Sequence, residues 1–268
     1  MNATLEKTFA LFARRISLSQ QQLDEALERA GEICQFLCQS VVVQECKITG
    51  SLARSTAIQD FSDVDVVAVL SSLSPTETTP HSITAKILET LKPRYHEAHI
   101  SENTVRIHFT QGPDVDVIPA IPDISSPKSG IYKIPSADLV RWNAYAPEER
   151  NQEINRKGAL LGAGFIHLIQ IIKWWSKKNG QPIASYEIEN IANTAFRSRM
   201  PSITRAIAEF FEIAESSSQT RPKAHVASIS VARAITNRAL QCEQQGDTRG
   251  ALDHWGSLLG DQFSSVVS

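Results

Sequence analysis

Asp63 and Asp65 stand i,i+2 within Asp63-Val64-Asp65-Val66-Val67. A strand has a side-chain period of two, so both carboxylates leave one face while Val64 and Val66 point the other way. Two carboxylates this close repel unless a cation sits between them. Mg²⁺ is the natural cation, being hard and partial to carboxylate and phosphate oxygens. A pair of such ions activates an attacking hydroxyl and steadies a leaving phosphate. An isolated acid pair is equally compatible with a solvated strand face, so its meaning depends on its neighbours.

Two neighbouring features give it meaning. Upstream, Gly50-Ser51 follows a strand-like run and precedes a possible helical turn. Glycine lets backbone approach a phosphate, and unpaired N–H groups at a helix start favour anions. Ser51 and Thr56 add hydroxyl donors. Downstream, Asp114-Val115-Asp116 is a second i,i+2 acid pair on a strand-like run. If that strand lies beside 63–70, one of its acids completes a three-carboxylate cluster, and geometry alone does not choose between Asp114 and Asp116.

The elements that must position these residues are legible in outline. Residues 3–15 read as a short amphipathic helix. Ser19 opens a second, with Gln22 in the reciprocal capping-box position, running to about 39. Strands are expected over 41–48, 63–70, 103–109 and 114–118, the last stopped by Pro119. The polar stretch 71–82, with Pro75 and Pro80, reads as a loop, followed by a helix near 83–92. Strand signals end after 135. Helical patterns then cover about 148–178, 185–197, 202–215, 227–245 and 247–258, with a loop at 216–224. The expectation is an α+β fold: a mixed sheet with flanking helices over 1–135, N-terminal helices included, and a helical domain over 136–268.

The bulk properties bound the function. The chain has 268 residues, 42% of them hydrophobic, and a formal net charge of -2. No basic excess supports stable binding to duplex nucleic acid, where phosphate neutralisation supplies much of the affinity. Cys34 and Cys38 fall i,i+4 in an apolar helical pattern and read as buried free thiols, which suits a reducing cytoplasm. The N-terminus lacks the features of a signal peptide. The apolar stretch 158–175 is interrupted by His167, Gln170 and Lys173, so it reads as a core helix with no membrane span. Trp174 and Trp175 read as core anchors, and Lys177-Lys178 as a solvated helix end.

The motif set resembles the polymerase-β-like nucleotidyltransferase superfamily, whose pattern is Gly-Ser, then Asp-x-Asp, then one acid on a later strand. GSLARSTAIQDFSDVDVVAVL (50–70) fits closely, including Ser62 before the first Asp. In the relatives the third acid precedes a short apolar-apolar-Pro-Ala run, and VDVIPA (115–120) matches, which favours Asp116. The helix ending IIKWWSKKNGQ resembles the spine helix of the bacterial CD-NTases, the cyclic-oligonucleotide synthases of anti-phage signalling. Lys173 sits where that family has a lysine contacting the donor triphosphate. SYEIENIA (185–192) resembles its serine-aromatic-x-x-Glu segment, which implies Ser185 on phosphate and Tyr186 near or stacked on the donor base. ALQCEQQGDTRGALDHWGSLLGDQF (239–263) resembles its closing helices.

The resemblance implies two Mg²⁺ ions, with Mn²⁺ as an alternative, held by Asp63, Asp65 and Asp116. It implies NTP substrates bound in a cleft between the two halves and a cyclic di- or oligonucleotide product that acts on a downstream effector. A regulatory protein partner is compatible with it. Two rival readings stand beside it: a nucleotidyltransferase that modifies RNA, tRNA or protein, and a catalytically silent nucleotide sensor.

Overall fold

A computed structural model of the chain describes residues 2–40, 42–70, 79–123, 125 and 130–267. Val41, at the start of the expected first strand, and residues 71–78 of the expected loop lie outside the described residues. The elements run in the order α1 (Asn2–Ile16), α2 (Gln20–Cys38), β1 (Val43–Thr49), α3 (Gly50–Ala53), β2 (Val64–Leu70), α4 (Pro80–Leu91), β3 (His99–Ser101), β4 (Thr104–Ile107) and β5 (Val115–Pro122). They continue with β6 (Tyr132–Pro135), β7 (Trp142–Tyr145), α5 (Pro147–Leu161), α6 (Ala163–Lys178), α7 (Ser185–Ala195), α8 (Ile203–Ser216), α9 (Lys223–Gln245), α10 (Thr248–Leu259) and α11 (Asp261–Val267). Among the described residues no helix is long and apolar enough to cross a membrane.

The chain divides into two compact units: Ser19–Glu153, and the residues up to Leu18 together with those from Ile154 onward. The expected boundary at 135/136 does not coincide with this division. Trp142-Asn143-Ala144-Tyr145 is only four residues long and none of them is buried, so it gives no strand signal, yet it pairs with β6 and extends the sheet. The expected placement of α1 with the nucleotidyltransferase core also changes. Phe9 and Phe12 pack against the C-terminal aromatics, Phe9 at 5.2 Å from Trp255 and Phe12 at 5.3 Å from Phe263, centroid to centroid. All four rings are essentially solvent-free.

The first unit is a mixed sheet in the order β1-β2-β5-β4-β3, with β6 and β7 continuing from the far end of β5. β2 and β5 are parallel, and the other pairs are antiparallel. β2 and β5 are the most buried strands, which is why they read as near-continuous apolar runs. Pro119 does not stop β5. It lies between the stretch paired with β4, through Val117, and the stretch paired with β6, from Ile121, so its missing N–H breaks no ladder on that side. α2 begins at the expected capping box, Gln22 N–H donating to Ser19 Oγ and Ser19 N–H to Gln22 Oε1. Pro80, expected in the loop, is instead the first residue of α4, where its fixed φ and absent N–H cost nothing.

Cys34 and Cys38 are not buried free thiols. Cys34 is bonded to Cys46 with Cα atoms 5.2 Å apart, and Cys38 is exposed. The helical spacing was real, but α2 packs against β1, and that long-range contact supplied the partner.

The second unit is helical. The single helix expected over 148–178 breaks at Gly162, whose φ of 80° and ψ of -179° begin α6 anew. α9 ends at Gly246 in the left-handed region, and Asp247 caps α10 by accepting from Gly250 N–H at 2.9 Å. The Gly-Asp turn, the Trp255 helix and the Gly260-x-x-Phe263 end thus close one core over α1. Trp174 and Trp175 are buried anchors, Trp174 Nε1 donating to Leu259 O and Trp175 lying edge-on to Phe211 at 4.6 Å.

Candidate active site

Strand register builds the site. Thr49 lies opposite Asp65, Asp65 opposite Asp116, and Asp116 opposite Arg106, one row across β1, β2, β5 and β4. Register partners share a sheet face, so Asp65, Asp116 and Arg106 project together. Asp63, two residues before Asp65, joins that face. The loop leading into it is closed by Ser62, whose Oγ accepts from Ile58 N–H at 2.9 Å while Ser62 N–H donates to Ile58 O. That bond explains the serine before the first acid.

Arg106 binds the acids directly. Its Nε donates to Asp116 Oδ1 at 2.9 Å and its Nη2 to Asp116 Oδ2 at 2.6 Å. The same Nη2 donates to Asp63 Oδ2 at 2.8 Å. Thr104, on the same strand face, adds a 3.3 Å bond to Asp116 Oδ1. The hydrogen bond to Asp116 and the surrounding acids raise the guanidinium's proton affinity further. Asp114 goes elsewhere. Its carboxylate accepts from Phe109 N–H at 3.1 Å and meets His108 at 2.9 Å, closing the turn between β4 and β5. The structure therefore brings Asp63, Asp65 and Asp116 to one face and leaves Asp114 outside.

Gly50 is required by Asp65. A Cβ there would stand 1.8 Å from Asp65 Oδ2, and its φ is 72°. The Gly50 backbone lies directly beside that carboxylate, and the half-buried Ser51 follows it in α3. Thr56 is fully buried, and its N–H donates to Ser51 O at 2.9 Å, folding the segment back on itself. Tyr145 from β7 reaches the same row, its hydroxyl 3.4 Å from Thr49 Oγ1. Burial pushes that phenol's pKa up, and the charge of Asp65 adds to the effect.

The remaining expected residues belong to the helical unit. Lys173, on α6, is 3% exposed, and its Nζ donates to Glu189 Oε1 at 2.8 Å. Glu189 is the last residue of the serine-aromatic-x-x-Glu segment, so the segment's acid anchors the expected lysine. Ser185 and Tyr186 open α7, with Tyr186 60% exposed. Their backbone is held from two sides. Glu187 accepts from Ala184 N–H, and Arg221 grips both Glu187 oxygens at 3.0 and 3.2 Å. Ser176 Oγ donates to Ile183 O at 2.6 Å.

Sequence reading missed Arg106, Tyr145 and Glu189. Arg106 carried one available signal: TVRI alternates, so Arg106 shares a face with Thr104 in a strand next to the acids.

The three acids offer only hard carboxylate oxygens, and two of them already gather about one cationic group, a donor set that fits Mg²⁺. Among the described residues no three His, Cys, Asp or Glu side chains form a ready metal cage. Asp63 and Asp116 each share an oxygen with Arg106 Nη2.

The sheet, the acid row and the closing helices define a nucleotidyltransferase with the polymerase-β-like fold of the CD-NTases. More particularly, residues 3–157 match the Second Messenger Oligonucleotide or Dinucleotide Synthetase (SMODS) domain, and the chain belongs to that family. It is 22% identical over 270 residues to a probable cyclic nucleotide synthase of Bacillus cereus (strain VD146), covering 81% of each chain. CdnC of Escherichia coli MS115-1, solved with ATP, superposes with a TM-score of 0.80 at 17% identity, over 96% of this chain and 98% of that one. CdnC has also been solved in a complex with HORMA-deltaN. CdnG of Bradyrhizobium diazoefficiens, a CD-NTase solved with GTP, superposes with a TM-score of 0.77 at 13% identity, over 98% and 97%.

Proposed function

We propose that this enzyme joins NTPs into a cyclic di- or oligonucleotide second messenger, releasing pyrophosphate, in anti-phage signalling of the CBASS type. The observation that carries the reading is the row of acids: Asp65 beside Asp116 in register, Asp63 on the same face, and Gly50, with Ser51 next in the chain, against Asp65. Divalent cations, Mg²⁺ or Mn²⁺, held by Asp63, Asp65 and Asp116 supply neutralisation of the triphosphate and activation of the attacking hydroxyl.

The protein's own groups do the rest. Ser51 and the α3 backbone hold donor phosphates, while the buried Thr56 supports that turn. Ser185 adds a phosphate contact, and the exposed ring of Tyr186 stacks on the donor base. Lys173 contributes positive charge toward the triphosphate from its anchored position beside Glu189. An acceptor ribose hydroxyl forms a bond to the α-phosphorus as the α–β bridging bond breaks. Its proton leaves toward Asp116, and pyrophosphate departs. Catalysis is mostly positioning and electrostatics. A second round in the same pocket closes the ring, and the product acts on a downstream effector. A reaction that consumes NTPs fits a cytoplasmic location, and a regulatory protein partner is compatible with this reading.

The test is to incubate the pure protein with four NTPs and Mg²⁺ and no RNA. A phosphatase-resistant product is expected. Turnover only on adding RNA or a protein acceptor would replace this reading with the transferase rival, and tight nucleotide binding without turnover with the sensor. Asp63→Asn and Asp65→Asn are expected to abolish turnover with the fold intact by circular dichroism. Near-normal NTP consumption by either would refute the metal assignment.

A further inference from the structure

Arg106 does more than pair with one acid. Its Nε and Nη2 take both oxygens of Asp116 as a fork, and Nη2 also takes Asp63 Oδ2. One guanidinium therefore joins Asp116 of β5 to Asp63, the residue just before β2. An ordinary stabilising ion pair needs one carboxylate. Here the strand register aims Arg106 at Asp116, and the bridging nitrogen is shared with the acid before β2. Asp63 and Asp116 contact Arg106, Asp114 adds its charge from farther off, and Thr104 bonds the same Asp116 oxygen as Nε.

We infer that Arg106 is the built-in counter-cation of the acid cluster, a positioning residue that a divalent metal must partly displace. The inference rests on the reading of these acids as metal ligands. Three carboxylates gathered on one face repel, and a guanidinium between two of them relieves this in the folded, metal-free site. A metal held by Asp63 and Asp116 would compete with Nη2 for carboxylate oxygens that Nη2 now contacts. The Nε bond to Asp116 Oδ1 does not conflict with it and keeps that carboxylate oriented. Metal alone therefore binds weakly. The negative triphosphate shifts the balance, so the site loads when metal and nucleotide arrive together.

The experiment measures Mn²⁺ binding by the loss of the free-ion paramagnetic resonance signal, with and without a non-hydrolysable ATP analogue. In the wild type, binding is weak alone and tighter with the analogue. Arg106→Gln is expected to bind Mn²⁺ alone about ten-fold more tightly, the order expected for removing one unit charge from a half-exposed site. The analogue's tightening effect is expected to shrink in that variant. Arg106→Lys keeps the charge but not the fork, and its Mn²⁺ affinity is expected to fall between those of the wild type and Arg106→Gln. Equal or weaker Mn²⁺ binding by Arg106→Gln overturns the inference and leaves the metal site standing. No Mn²⁺ binding by any form, with or without the analogue, overturns the metal reading and the inference together.

A second readout needs only the wild type. The ¹⁵Nη2 signal of Arg106, assigned by its loss in Arg106→Lys, is expected to shift when Mg²⁺ and the analogue saturate the site, while the Nε–H bond to Asp116 persists. An unmoved signal under saturation overturns the inference.

Discussion

A methyl group at position 50 would sit 1.8 Å from Asp65 Oδ2, on backbone that L side chains rarely adopt. Gly50→Ala must therefore push Asp65 out of its row or shift the backbone that opens α3. Turnover is expected to fall by roughly a hundred-fold, the scale of an ångström's misplacement at a reacting centre. Far-ultraviolet circular dichroism should remain that of the wild type. A Gly50→Ala enzyme with wild-type rate would show that Asp65 is not held against this backbone. The two candidate third acids separate in the same way. Asp116→Asn is expected to lose nearly all activity, because Asp116 sits in the row. Asp114→Asn can keep the Phe109 N–H bond through its amide oxygen and loses only the charge facing His108, at a cost of no more than about 1 kcal/mol in urea unfolding, with activity kept. Loss of activity from Asp114→Asn alone would reverse the assignment.

Between elements, one buried pair ties α6 to α7. Lys173 is 3% exposed and Glu189 fully buried, so deleting one partner strands a charge. Glu189→Gln is expected to destabilise the fold by about 3–5 kcal/mol. Replacing both partners by methionine removes both charges at once and is expected to restore most of that stability. If Lys173 serves the triphosphate, the restored double variant still turns over poorly. A stable double variant with full activity would make the pair purely structural. The Cys34–Cys46 bridge joins α2 to β1 across a sequence separation of 12. Closing so short a loop is worth about 2–3 kcal/mol in the unfolded chain, so Cys34→Ser should lower unfolding free energy by that much in oxidising buffer. In dithiothreitol the difference should vanish; a difference that survives reduction would assign it to packing instead.

At the scale of the whole molecule, nucleotide and metal bind the folded chain and not the unfolded one. Mg²⁺ with a non-hydrolysable ATP analogue at about a hundred times the dissociation constant should stabilise by about 2.7 kcal/mol. For a chain of this size that raises the melting temperature by roughly 5–10 °C. Mg²⁺ alone should move it far less, and equal shifts would contradict the joint loading argued for Arg106. The sequence determined which residues could do this chemistry. Gly50, Ser51, Asp63, Asp65 and the pair at 114 and 116 stand out because strand period and turn chemistry are local, and local rules act within a few residues. The capping box at Ser19, the helical second half and the buried tryptophans were legible for the same reason. Tertiary structure decided the rest. Asp116 in register with Asp65, Arg106 between the acids, Glu189 under Lys173, Cys46 opposite Cys34 and α1 in the helical unit all depend on segments far apart in the chain. Strand register and helix packing bring those segments together, and neither is encoded in the spacing of neighbouring residues.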